Sequence, residues 1–270
     1  MGIVVKVLRA IFLVLLGLFF FVPLLAMARF AFQSVPVVLL TPEKLLEGWS
    51  ISGLIEVFGN PEFQRAALIS LQLMVLSILI TLVLLLPVAA LVEIRAPQFR
   101  TAMAAITLLP WVVPPIALVV GVAATFRNTV PWFLASPYSL VPFYVLWALP
   151  FSYRALDAGL RSIGARTLYE AARVMGASTF TIIVRVIVPN MVGAIIAASV
   201  LTAALVLGEF AFAALLLKET LPTFMAEFQR SEPRAGMALA LAVMLLTALI
   251  IWIGVRALRK RGMDLQAAGV

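Results

Sequence analysis

Six stretches of this chain run without charge, or with one charge, for long enough to cross a bilayer, whose hydrocarbon core takes about 20 apolar residues of helix. They lie between Arg9 and Arg29, Arg65 and Glu93, Arg100 and Arg127, Arg127 and Arg154, Pro189 and Lys218, and Gly236 and Val255. The fifth contains a single carboxylate, Glu209. In the fourth, Pro131, Ser136, Pro137 and Ser139 break the front half, so its helix is placed from about Leu140. Backbone polar groups unpaired in hydrocarbon are costly enough that runs of this length must be helices. The pattern predicts an all-α, polytopic membrane protein with spans over 7–31, 66–94, 102–126, 140–156, 190–217 and 236–256.

Composition agrees: 64% of the residues are hydrophobic and 12% charged, where a soluble domain carries about 25% charged residues. The chain has no Cys and no His, which removes disulfides, thiol nucleophiles, imidazole bases and most transition-metal sites. Lys6 and Arg9 before an apolar run that ends in Ala26-Met27-Ala28 also fit a cleaved signal peptide. That run is longer than a usual signal core, and removing it would leave an odd number of spans.

Lys and Arg accumulate on the cytoplasmic side of membrane proteins. With the N-terminus inside, the inner segments hold thirteen of the twenty Lys and Arg and four acidic residues, Glu93, Asp157, Glu170 and Asp264. The outer segments balance seven basic against seven acidic residues. Both termini are therefore expected in the cytoplasm, and the net charge of +8 reflects topology, with no nucleic-acid partner required. The Arg-Lys-Arg cluster at 259 to 261 suits anionic lipid headgroups of the bilayer.

One inner segment, roughly Arg154 to Arg185, is too long for a tight connection. Thr167-Leu168-Tyr169-Glu170 reads as a capping box, with Thr167 at the N-cap and Glu170 reaching back. Leu168, Ala171, Ala172 and Met175 recur at helical spacing as one apolar stripe with small residues at its centre, and Gly176 supplies a positive-φ stop. The spacing predicts a short helix over 167–176 of about two turns, roughly 12 Å long. Such a helix is not stable alone. From periodicity, two supports stand equal: the ends of its own spans, or a separate protein.

Glu170-Ala171-Ala172, then Gly176-Ala177 and, thirteen positions after Gly176, Pro189 resemble the EAA motif of type I ABC importer permeases, the membrane subunits of binding-protein-dependent importers. The ending here is Ile187-Val188-Pro189, with Val where that family usually has Leu. The resemblance covers about residues 65 to 255, including Leu109-Pro110 and Pro114-Pro115, similar to the proline-rich third helix of these permeases. It implies that 167–176 is a coupling helix that docks on a cytoplasmic ABC ATPase dimer. Thr167, Leu168, Glu170, Ala171, Ala172, Arg173, Met175, Gly176, Ala177 and Pro189 would then be the coupling residues. It further implies a second permease subunit, identical or homologous, an extracytoplasmic solute-binding protein and a bacterial inner-membrane location. No G-x-x-x-x-G-K-[ST] phosphate loop occurs in the chain, so ATP and Mg belong to the partner ATPase and this subunit is not an enzyme.

An acid inside a span faces a bundle interior, a cavity or a partner by default. Glu209 is therefore a candidate for the solute pathway or its gate, and a fixed structural hydrogen bond is the alternative. Gly208-Glu209-Phe210 resembles a segment of permeases for sulfate and molybdate, and of some for polyamines or phosphonates. Overall similarity is to the spermidine and putrescine type, which makes a polyamine the expected solute and an inorganic or phosphonate anion, or ferric iron, the alternatives. Prolines at 87, 110, 114, 115, 142 and 150 each remove a backbone donor. Pro110, Pro114 and Pro115 are expected to break the third span beside the pathway, whereas Pro87 reads as an ordinary tolerated proline.

The outer loop, 33 to 64, is expected to carry a surface helix near Thr41 to Glu47, with Trp49, Trp132 and Phe224 as docking or interfacial aromatics. A secondary transporter is the main rival, yet the two halves show no internal repeat. A membrane-embedded enzyme would need a second group beside Glu209.

Overall fold

A computed structural model describes residues 3–35, 37–39, 41–44 and 47–260. Among these residues the regular structure is helical, apart from an isolated bridge between Gln33 and Trp49. The helices follow in order as α1 (Ile3–Phe32), α2 (Ser52–Gly59), α3 (Pro61–Arg95), α4 (Arg100–Val112), α5 (Pro115–Thr129), α6 (Pro131–Ala135), α7 (Val141–Ser162), α8 (Ala165–Val174), α9 (Thr179–Ile182), α10 (Val188–Asn190), α11 (Val192–Leu207), α12 (Ala211–Leu215), α13 (Leu221–Ser231) and α14 (Pro233–Lys260). A π-helical turn, Ile183–Ile187, joins α9 to α10.

Three helical stretches, Val5–Phe32, Pro61–Arg95 and Pro233–Arg256, are long and apolar enough to cross a membrane singly. Two bent pairs raise the number to five if each is one span. The remaining expected segment, 140–156, is helical as α7, whose second half carries Arg154, Asp157 and Arg161.

Two expectations are corrected, and a third feature is where the prolines place it: the third span, expected to break at Pro110 to Pro115, turns by 82° between Pro97–Val112 and Pro115–Thr129. The residue before a proline is pushed out of the helical region, and Val113, ahead of Pro114, is extended at ψ 122°. The fifth span, expected over 190–217, stops at Leu207 and restarts as α12, and its lower end turns by 76° between Asn190 and Val192. The outer-loop helix near Thr41 to Glu47 is, where described, a 3-10 turn at Pro42–Lys44; Leu45 and Leu46 lie outside the described residues. The loop's α-helix is α2, over Ser52–Gly59. Of the basic C-terminal cluster, Arg261 also lies outside them, as does Asp264.

The chain divides into two compact units, one of residues 1–64 and 224–245, the other of 65–223 and 246–270. In the first, Gln33 ties the loop by donating from Nε2 to the carbonyls of Lys44 and Glu47, both at 3.1 Å. Gly53 meets Ala235, whose Cβ would lie 3.3 Å from an added Cβ. Phe63 packs between Phe58 and Phe224, with ring centroids at 5.2 and 6.0 Å.

The second unit is built on α7 crossing α11. Gly159 makes the crossing possible, because a Cβ there would sit 2.2 Å from that of Ala194; small residues let helix backbones approach in this way. Higher on the same pair, the Ser152 and Thr202 hydroxyls hydrogen-bond at 2.9 Å in a buried setting. Around this axis, Leu85, Ala89, Leu156, Leu160, Ile182 and Met191 form one buried cluster. Leu73, Val119, Leu140, Phe143, Val206 and Phe212 form another.

Candidate functional site

The loop after α7 is where sequence and structure first meet. α7 ends in a turn closed by the Gly164 amide on the Arg161 carbonyl, at 3.1 Å. Gly164 adopts φ +60° as the N-cap of α8, a conformation that glycine takes without steric penalty. Its carbonyl accepts the first helical bond, from the Leu168 amide at 3.1 Å. The helix therefore begins at Ala165, and the expected capping box does not form: Thr167 lies inside the first turn. Glu170 instead accepts from Arg166 Nε at 2.9 Å, one turn back along the helix.

The stop is as expected. Gly176 takes φ +82°, its amide donates to the Arg173 carbonyl at 2.9 Å, and the Ala177 amide reaches the Ala172 carbonyl at 3.1 Å. These are the two bonds of a Schellman end. α8 thus spans ten residues, about 15 Å at helical rise.

The expected stripe is turned by about one residue. Ala165 and Ala172 are the buried pair, with Tyr169 partly buried against the cluster beneath them. Ala171 and Met175, placed in the stripe by spacing, face outward. The outward side is apolar at its far end, with Val174 89% exposed and Met175 81%. Arg166, Glu170 and Arg173 flank it, all exposed. One face of the helix therefore rests on its own bundle while the other is open.

Beyond Gly176 the Ser178 hydroxyl caps α9, accepting from the Thr181 amide at 3.2 Å. The π-helical turn and then Pro189 follow before the 76° bend into α11. Pro189 has no amide hydrogen to donate back into the preceding turn, so the helix is interrupted where the motif ends.

The candidate pathway residues gather at the two breaks. Gly208 closes α11, and an added Cβ would lie 3.3 Å from the Ala204 carbonyl oxygen. Glu209 is 9% exposed, and both of its oxygens accept from the Phe212 amide, at 3.0 and 3.2 Å. The amides of Ala211 and Ala213 and the Tyr144 hydroxyl also face the carboxylate. Glu209 is held by the start of α12, while its neighbour Phe210 is half-exposed. At the far end, α12 closes with a Schellman pair from Leu217 and Lys218, but the left-handed position, φ 53°, is filled by Leu217 and not glycine.

Aromatic rings join the two breaks. Trp111, three residues before Pro114, stacks on Trp147 at 4.3 Å and 14°, and its indole N–H donates to the Trp147 carbonyl at 2.9 Å. Trp147 meets Phe212 edge-on at 5.3 Å, and Phe212 stacks on Phe143 at 5.2 Å. Pro114 and Pro115 thus set the bend itself, whereas Pro110 lies within α4. Beside Phe143 an open cavity of about 270 Å³ is lined by Leu118, Val122, Phe126, Phe133 and Leu146 among others, with no polar surface. Its chemistry suits hydrocarbon and not a hydrophilic solute.

A family model described as the binding-protein-dependent transport system inner membrane component matches residues 86–263, well over half of the chain. The chain belongs to this permease family. No curated protein matches it. The matched region of the permease takes in α8 with both its ends, the π-helical turn and both breaks, and leaves out α1 and the outer loop.

The permease also carries a polar network that the sequence reading counted only as scattered inner charges. Arg100, at the start of α4, is hydrogen-bonded and ion-paired to Glu93 near the end of α3. Its Nε lies 3.2 Å from Asp157 Oδ1 on α7, and Asp157 also pairs with Arg161 at 3.0 Å. Two residues after Glu93, Arg95 donates to the Thr179 hydroxyl at 3.0 Å, and the same hydroxyl hydrogen-bonds Tyr169 of α8 at 3.1 Å. Asp157 and Arg161 stand at the i,i+4 spacing of one helix, but nothing in the spacing joins them to Glu93 and Arg100; only the packing of α3, α4 and α7 assembles the four. Among the described residues no group of three or more His, Cys, Asp or Glu is placed to hold a metal ion.

Proposed function

We propose that this permease subunit forms half of the solute pathway of an ATP-driven importer and takes its drive from a separate ABC ATPase dimer through α8 and its Gly176 stop. The observation that carries the reading is the open face of α8. A ten-residue helix fixed at both ends, resting on its own bundle by Ala165 and Ala172, presents Val174 and Met175 almost fully exposed between charged residues. Exposed apolar groups rimmed by charge mark a protein interface. The assembly is completed by a second permease subunit, identical or homologous, and an extracytoplasmic binding protein. ATP hydrolysis belongs to the partner, and this chain is not itself an enzyme.

In this reading the chain crosses the inner membrane six times with both termini in the cytoplasm: α1, α3, the bent α4 and α5, α7, α11 with α12, and α14. The fourth crossing runs on past its apolar part into Asp157 and Arg161, which pair with each other, and this lowers the burden of placing them near the headgroups.

The solute is a small hydrophilic molecule of polyamine type. Glu209 is occupied by the amides at the start of α12, so its role in the pathway is to hold the break open beside Phe210. The exposed Phe210 and Trp111 would supply ring faces for an ammonium group.

Purification from a host that expresses the ATPase tests the reading. The expected result is a stable complex whose ATP hydrolysis rises with loaded binding protein, and in which Glu170→Lys or Gly176→Pro removes that rise. A chain that purifies alone, or a complex with intact stimulation in both variants, overturns it. A putrescine-loaded binding protein that fails to stimulate, where a phosphonate- or iron-loaded one succeeds, overturns the solute class alone.

A further inference from the structure

α8 is attached through the chain to α7 on one side and, by way of the π-helical turn, to α11 on the other. It is not a neighbour in the chain of α3 or of α4, the half-span that runs into the 82° bend. The polar network supplies a link. Tyr169 on α8 and Arg95 at the end of α3 share the Thr179 hydroxyl. The hydrogen bond with Thr179, and after it Arg95, hold the Tyr169 phenol below its ordinary range. Glu93, on the same turn of α3 as Arg95, holds Arg100 of α4, which also faces Asp157 of α7. The contacts therefore close a ring, α8 to α3 to α4 to α7 and back through the chain to α8.

A second observation concerns a donor that the ring leaves unused. Tyr153 of α7 is 1% exposed, and its hydroxyl has no hydrogen-bond partner, although Asp157, Arg100, Glu93 and Arg161 all act on it electrostatically. Buried polar groups are nearly always paired, and an unpaired one calls for an explanation. Arg100 Nε, too, is unpaired as a hydrogen-bond donor despite its 3.2 Å approach to Asp157. An idle donor beside two carboxylates that share one guanidinium is a spare partner, free to take up an acceptor that a displacement of Arg100 would release.

Resting on the functional reading above, we propose that Arg95, Tyr169 and Thr179, with Glu93, Arg100, Asp157 and Tyr153, form the relay that carries displacement of α8 to α4, and so to the bend in the third span. All seven are positioning residues. None touches solute or nucleotide.

The test uses the assembled transporter with its ATPase and binding protein in proteoliposomes, reading solute moved per ATP hydrolysed alongside the melting temperature. Arg95→Ala changes an exposed side chain and leaves folding intact. It is expected to lower solute moved per ATP by roughly two- to thirtyfold, the span over which residues along a coupling network act, and Arg95→Lys is expected to recover most of the loss. Tyr153→Phe is the sharper variant. It removes a hydroxyl that is unpaired in this arrangement, so the melting temperature stays level or rises, while solute moved per ATP falls in the same direction. A merely structural role predicts no change in that ratio. Wild-type ratios in both variants, in a complex that assembles, overturn the relay and leave the functional reading standing. Failure of the wild-type chain to bind any ATPase overturns both.

Discussion

Around α8 the permease is held by side chains that carry charge, and the helix they support is half open. Around Glu209 it is held by its own backbone amides and by stacked rings, and the carboxylate is enclosed. The difference follows from what each place must satisfy. At the loop end, charges can pair with one another and still meet water, so pairs such as Arg166 and Glu170 can open and re-form at little cost. At the breaks, proline and the end of α11 leave backbone groups without helical partners inside an apolar setting, where an unpaired group is expensive. Glu209 answers that need at the start of α12 by accepting from the Phe212 amide. On the proposed reading one end is moved, while the other keeps an interruption in place.

The comparison is easiest to break at Gly159, on which the loop end depends. Gly159→Val forces carbon into the 2.2 Å approach to Ala194 and should destabilise by about 3 kcal/mol, the upper range for an overfilled crossing, seen as a fall in melting temperature. No change would mean that α7 and α11 do not cross this closely. Next in size is Glu209→Gln, which keeps one acceptor for the Phe212 amide but loses the charge. A loss of about 1–2 kcal/mol is expected, with assembly retained, and an unchanged melting curve would return Glu209 to a free pathway acid. Leu217→Gly should act in the opposite direction. Leu217 is exposed at φ 53°, and relieving a side chain there stabilises by about 1 kcal/mol. Thr167→Ala should do least, under about 0.5 kcal/mol, because Gly164 and not Thr167 starts α8. A loss of about 1 kcal/mol, the usual cost of removing an N-cap, would restore the capping box.

The helices were legible in the sequence because hydrocarbon leaves the backbone no other choice, and charge-free runs mark where that constraint applies. Gly176 was legible as well: a glycine after an apolar stripe has one common use. Thr167 misled because two residues compete to begin the helix, and Gly164, three positions earlier, wins by turning directly out of α7. The stripe was half right, with Ala172 buried and Leu168 partly covered, and it failed at Ala171 and Met175, because apolar residues on the open face at Val174 and Met175 widen the pattern that spacing reads. Prolines announced that the third span breaks but carried no angle. The stop at Gly208 stayed hidden, since Glu209 reads as an acid within a helix until the Phe212 amide is seen to claim it. The ring of Glu93, Arg100 and Asp157 has no linear signal at all; it exists only where three helix ends converge.

The claim on which the account turns is that a second protein covers the open face of α8. The chain has no cysteine, so Val174→Cys gives a single reporter at a position 89% exposed in this subunit. Its alkylation rate should be fast in the isolated subunit and fall at least about tenfold in the assembled transporter, as burial of that residue by a partner demands. Equal rates in the two states would contradict the assignment of α8 as the docking helix.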